Sequence, residues 1–546
     1  MKKSPFILLF AIIVVHVKAQ TLTNGGKLRP EQAIMDIRHY TIALNVNFEQ
    51  KSIDGYTKID VIMAQPTHVL LFNLLDSLGV SKVLVNNQPE PFEYKNNLIT
   101  INLNKNLPAG KASVQVFYGG KPHIARHPPW DDGFIWSRDS TGHQWMAITA
   151  EGAGGKLYFP CKDHPSDEPN EGVDMFITVP KDLVVAGPGL LQKVTKHGDK
   201  ATFHWKTNYT INNYSIIFNV GDYAVVTRQY TTVDGHSVPI QFYVLKEHLD
   251  KAQHHLDIFV KTIHEQEKYF GEYPWVKEKI GIVETPHLGM EHETMNAYGN
   301  KFRYIKVGGE DYDEIMHHEF GHEWWGNKVT AKDWADYWIH EGICTFGDAL
   351  YIREFDGEAA YIKLFQNDVF HIENKIPIVQ HADMDEEAAY IGDIYVKGAF
   401  FMHTLRYVMG DSLFFPALKK FVTSPKYTYD NLVNTDDVEQ FFTQEEGRDL
   451  KPLFDMYLRT TDKLEIHVKQ TRLNQYVISL QNITIPLPVD IATSEGTKRM
   501  MLDQKGITIV SNSLPVIDAQ TFYLKKIIIG IIKDATISPY RCNFIL

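Results

Sequence analysis

Residues 318–330 read His318-Glu319-Phe320-Gly321-His322-Glu323-Trp324-Trp325-Gly326-Asn327-Lys328-Val329-Thr330, and a second run follows at Trp338-Ile339-His340-Glu341-Gly342. Residues four apart on a helix share one face, so His318 and His322 can both meet a single ion about 2.0–2.1 Å from each imidazole. Glu319 is rotated from His318 by about 100° and can reach a water beside that ion without ligating it. A tetrahedral catalytic zinc takes a third protein ligand and keeps one position open. Glu341, on the next predicted helix, is the expected third ligand, giving one Zn2+ per chain. Three neighbours fit less well. His317 has Gly321 rather than histidine four residues on, and His340 points about 100° away from Glu341. Glu323 reads as a solvated carboxylate or one that supports a ligand.

Around this stretch the hydrophobic period is helical. Segments 248–270, 312–327, 334–355, 359–370, 395–408 and 412–422 carry apolar residues at helical spacing. Upstream, from about residue 38 to 230, short alternating segments such as Tyr40-Thr-Ile-Ala-Leu-Asn-Val are broken by Gly, Pro and Asn. That pattern predicts a large antiparallel β domain. Alternation returns after residue 461, as in Leu464-Glu-Ile-His-Val, and predicts a small β-sandwich. The expected fold is therefore multidomain α+β. Its parts are an N-terminal β domain over 20–230, a mostly helical zinc domain over 231–461 and a C-terminal β-sandwich over 462–546.

Composition agrees with this size and excludes other classes. The chain has 546 residues, 44% hydrophobic, which supports two to four packed cores and no disordered or fibrous chain. A net charge of −12 lacks the basic footprint of a nucleic-acid binder. Cys161, Cys344 and Cys542 allow one disulfide at most. Residues 1–19 combine Lys2-Lys3, an apolar run over 5–15 and Ala19 before Gln20, which predicts a secretory signal peptide. That run is too short to span a bilayer, which takes about 20 residues. The expectation is an exported protein, periplasmic or extracellular, with no transmembrane segment after cleavage.

The pentad, the Glu-Trp-Trp-Gly-Asn that follows it and the spacing to Glu341 closely resemble the gluzincin aminopeptidases, relatives of aminopeptidase N and leukotriene hydrolase. The likeness is to the bacterial, exported type and is most specific over 274–422. It implies a thermolysin-like catalytic domain and a metalloprotease that hydrolyses residues from free peptide N-termini, with Glu319 as general base. Longer relatives carry a large C-terminal helical domain, which is not expected in this chain. The cleft is then expected to be more open and to accept longer peptides.

The resemblance also implies roles for particular residues. Gly289-Met290-Glu291-His292 looks like the family's Gly-x-Met-Glu-Asn motif, with one residue fewer between Gly and Glu and His292 in place of the Asn. By that likeness Glu291 clamps the substrate amine, while the Gly289-Met290 backbone lies along the peptide. Ala150-Glu151-Gly152 resembles the stretch that holds a second amine-binding carboxylate, Glu151, where the leukotriene hydrolase branch has Gln. Tyr395, in Tyr-Val-Lys-Gly, matches the family's oxyanion-binding tyrosine, with Tyr390 as its competitor. Asp336 is a further carboxylate that could orient a ligand, and the four tryptophans of 324–338 read as core. Two other functions remain open: epoxide hydrolysis of the leukotriene hydrolase type, and a catalytically silent peptide binder.

Overall fold

The computed structural model describes residues 22–531, so the signal-peptide expectation for 1–19 and Cys542 lie outside the described residues. Its first part is an eight-stranded sheet with the long strands Met35–Asn47 and Ser52–Met63 at its centre. Side chains alternate between the two faces of a strand. Accordingly Tyr40, Ile42, Leu44 and Val46 are buried while the residues between them are partly exposed. One pairing departs from the expected antiparallel pattern: Tyr40–Asn45 run parallel to Val173–Thr178. Parallel neighbours need a long crossover, and more than a hundred residues separate these two strands.

That crossover contributes strand Gln144–Thr149 to a smaller, four-stranded sheet. Its end delivers the chain to Ala150 and Glu151. A further strand pair, Tyr223–Thr231 with Ser237–Leu245, straddles residue 230 and starts a five-stranded sheet. The edge of this sheet is the short strand Gly289–Met290, paired antiparallel to Asn296–Tyr298.

Four helices position the site, here labelled α1 (Leu249–Phe270), α2 (Glu314–Gly321), α3 (Trp338–Asp356) and α4 (Asp393–Met409). In α1 the stripe Leu256, Phe259 and Ile263 is buried in one core with Ile240, Phe242 and Ile282 of the sheet. Burying such side chains stabilises the fold by about 1.5–3 kcal/mol each. Helix α2 starts at Asp313, whose carboxylate accepts from the Met316 N–H. It is shorter than the predicted 312–327. After Gly321 the chain tightens, with Glu323 N bonded to Phe320 O and Trp324 N to Gly321 O. Those i→i+3 bonds turn Trp324 and Trp325 into the core, where both are fully buried.

Helices α3 and α4 meet backbone to backbone. A Cβ placed on Gly342 would lie 2.8 Å from Gly398 Cα. Only paired glycines leave room for this approach, and it carries Tyr395, one turn before Gly398, towards Glu341. The core runs on from the helices into the last two sheets, which lie between Leu464 and Gly530. Strand Lys525–Gly530 runs parallel to Leu464–Arg472 and completes the larger of the two. Cys161 and Cys344 are free and buried. Among the described residues no helix is long and apolar enough to cross a membrane.

Candidate metal centre and its carboxylates

His318 Nε2 and His322 Nε2 lie 3.3 Å apart, and Glu341 Oε2 is 3.3 Å from the first and 3.5 Å from the second. Ligands about 2.0–2.1 Å from a tetrahedral zinc are separated by roughly 3.3–3.4 Å, so the three atoms already stand at the edges of such a site. The other ring nitrogens are engaged: His318 Nδ1 is 2.9 Å from Asp348 Oδ2, and His322 Nδ1 is 2.9 Å from the Trp325 carbonyl. Donation from Nδ1 leaves the Nε2 lone pair free for a metal. The donor set and its spacing fit zinc.

Asp348, two helical turns after Glu341 on α3, was not singled out from sequence, although its seven-residue spacing puts it on the same face. Asp336 does not orient a ligand. Its Oδ1 accepts from the backbone and hydroxyl of Thr435. His317 is buried and held between Asp348 and Glu265, at 2.7 and 3.0 Å. His340 accepts from the Ala331 N–H. Glu323 is not solvated. It is fully buried and accepts from Trp275 Nε1, Asn296 Nδ2 and Thr294 N, which ties the pentad to the loop carrying Glu291.

Glu319 lies across from the edge strand. A Cβ at Gly289 would fall 2.6 Å from Glu319 Oε1, so glycine there makes room for the carboxylate beside the backbone of 289–290. Met290 is buried. Glu291 Oε1 accepts from the Tyr214 hydroxyl at 2.5 Å, and its main-chain carbonyl accepts from Asn327 Nδ2. Neither Tyr214 nor Asn327 was identified from sequence. Tyr214 reaches the site from a segment whose local pattern carries no sign of it, whereas Asn327 lies within the 318–330 run itself.

Glu151 arrives from the β domain. Its N–H and that of Ala153 donate to Asp132 Oδ2, which holds the loop in place. Carboxylate oxygens of Glu151, Glu291 and Glu341 come within 4.8 Å of one another. Burial raises the Glu151 carboxyl well above its ordinary range, and the charges of Glu291 and Glu341 raise it further. Tyr390 was weighed only as a competitor to Tyr395; the structure brings both to the site. The Tyr390 hydroxyl is 3.0 Å from Glu341 Oε1 and 3.1 Å from Glu151 Oε2, and it touches the Tyr395 hydroxyl. The Tyr395 ring stacks on His318 at 6.1 Å between centroids. These groups line a cleft of about 430 Å³ between the β domain and the helices. Trp324, Trp325, Trp334 and Trp338 are core, as expected.

Residues 254–457 match the family model described as the Peptidase family M1 domain. Puromycin-sensitive aminopeptidase of Caenorhabditis elegans is 24% identical over 444 residues, 76% of this chain and 46% of that protein. Tricorn protease-interacting factor F2 of Thermoplasma acidophilum is 23% identical over 454 residues, 78% of this chain and 55% of that protein. The chain thus spans about half the length of these curated relatives. An M1 zinc metallopeptidase from Deinococcus radiodurans has a similar fold, with a TM-score of 0.65 at 21% identity over 80% of this chain and 95% of that one. A mutant of that enzyme has also been solved bound to a Tyr-Ser-Ala substrate.

Proposed function

From the match of residues 254–457 to the Peptidase family M1 domain we infer that this chain is an M1-type, zinc-dependent aminopeptidase acting on peptides with a free N-terminus. One observation carries the reading. Two further carboxylates, Glu151 and Glu291, converge on Glu341 of a ligand triad spaced for zinc, where they can receive a substrate ammonium. When bound by His318, His322 and Glu341, zinc supplies a Lewis acid for the scissile carbonyl.

The chain's own residues do the rest. Glu291 and Glu151 hold the α-ammonium and set the register, so that only the first peptide bond reaches the metal. The edge strand Gly289–Met290 has an open side along which an extended peptide can pair. Glu319, packed against that strand, removes a proton from the attacking water and returns it to the leaving amine. Tyr395, touched by Tyr390, donates to the oxyanion that develops, an effect often worth ~3–4 kcal/mol. Holding both reactants in place supplies a large share of the rate.

The test is hydrolysis of aminoacyl chromogenic substrates with and without chelator, together with free and N-acetylated forms of one peptide. Chelator-sensitive turnover confined to the free peptide is expected. Equal cleavage of the two forms would sink the exopeptidase reading. Epoxide hydrolysis has no observation in its favour. The finer fold reading, a thermolysin-like domain closed by a β-sandwich, is supported by the two small sheets between Leu464 and Gly530. Export is supported by residues 1–19 alone, and N-terminal sequencing of the mature protein checks it by finding Gln20 first.

A further inference from the structure

Beside Glu151 the cleft wall is Gly152, and the carboxyl of Glu386 lies directly on it. A Cβ at Gly152 would fall 2.7 Å from Glu386 Cδ and 3.0 Å from its Oε1. The backbone of Glu386 is anchored, its N–H donating to the Asn24 carbonyl, and Asp385 caps the short turn it opens. Its side chain, in contrast, has no hydrogen bond or ion pair among the described residues. The other acids of this wall are spent on backbone: Asp132 accepts from Glu151 and Ala153, Asp131 from Arg126 and His127. The nearby ammonium of Lys156 is held by Asp163 and the Thr23 carbonyl. Glu386 is thus a partly buried carboxyl lining the cleft with no hydrogen bond or ion pair of its own among the described residues, and the Lys156 charge offsets its burial only in part. Burial, and after it the charge of Asp132, push this carboxyl up to about 7.

Its place says what would neutralise it. If Glu151 and Glu291 hold the α-ammonium, the residue next to Glu151 borders the path of the first side chain. Glu151, Gly152, Glu291 and Glu386 line one cleft, so a cationic side chain on the first residue would find Glu386 on the same wall as Glu151. We propose that Glu386 is a specificity residue that receives the guanidinium or ammonium of a basic first residue, so that peptides beginning with Arg or Lys are preferred. The proposal rests on the aminopeptidase reading and deepens it.

The experiment uses the zinc-loaded full chain with Arg, Lys, citrulline and Leu chromogenic amides; citrulline matches Arg in shape without its charge. A charge-assisted hydrogen bond predicts kcat/KM for Arg about tenfold or more above citrulline. That ratio should fall towards one in Glu386→Gln and invert for charged substrates in Glu386→Lys. Equal turnover of Arg and citrulline by the unaltered protein, or a ratio unmoved in both variants, overturns the assignment. Failure to hydrolyse any of the amides overturns the aminopeptidase reading and this one with it. Turnover without discrimination overturns Glu386 alone.

Discussion

His292 Nε2 lies 3.1 Å from the carbonyl oxygen of Ala150, a hydrogen bond across 142 positions that joins the neighbour of Glu291 to the neighbour of Glu151. The carbonyl can only accept, so His292 carries its proton on Nε2 and donates. This contact links directly the two segments whose carboxylates are proposed to hold the substrate amine. Burial pushes the imidazole down to about 4, which keeps it neutral near pH 7.

Removing that contact should loosen the clamp more than the fold. For His292→Ala we expect KM for a free-amine peptide to rise about tenfold, with about 1–3 kcal/mol lost from stability for the carbonyl left unpaired. His292→Gln, which keeps a donor, should recover part of the KM. Steady-state kinetics beside a denaturant melt separate the two effects, and an unchanged KM in the alanine variant would contradict the role.

Asp348→Asn should weaken zinc binding by about 10–100-fold, because the partner that orients His318 loses its charge. Competition with a chromogenic chelator measures this directly. Asp336→Asn should leave zinc affinity where it was, since that carboxylate serves Thr435 instead.

The Gly342–Gly398 crossing makes a third prediction. A methyl at residue 398 would meet Gly342 Cα at 2.9 Å. Gly398→Ala should force α3 and α4 apart, costing about 1–3 kcal/mol as overpacking does. Tyr395 would be displaced with α4, so kcat should fall more than KM rises. A variant with altered stability but normal kcat would show that the crossing does not position the tyrosine.

His255 is fully buried among Phe242, Tyr298 and Phe302, and burial pushes it down to about 3. A histidine lowered in this way adds stability that is complete above its ordinary pKa of 6.5 and is lost as pH falls towards the folded value. Between pH 6.5 and 4 its contribution should fall by about 1.4 kcal/mol per pH unit. His255→Phe removes the titration, so its unfolding free energy should decline less steeply with acid than that of the unaltered chain. Parallel curves for the two proteins would exclude this account.

Local spacing made part of the centre legible. His318 and His322 lie one turn apart, and Glu341 stands on the next helix, so their relation was visible in the chain. Some helix spans were equally plain, α1 and α4 differing from their predicted limits by one or two residues, whereas α2 stops at Gly321, six residues before its predicted end. Glu323 misled because exposure has no local signature: its neighbours Trp324 and Trp325 fold inward and take it with them. Tyr390 was half seen. Its position near Tyr395 was noted, but two hydroxyls meeting two carboxylates is a property of the assembled cleft.

By itself the sequence determined the class of the protein: a β region, a helical zinc-ligand region and a second β region, with the ligands already spaced on their helices. Periodicity and short-range spacing suffice for that, because backbone geometry converts them directly into shared faces. Only the tertiary structure decided what surrounds the metal. Tyr214, His292 and Glu386 make contacts across separations that no local pattern records. Burial then removes the water that would otherwise screen and pair them, and so makes each of those contacts count.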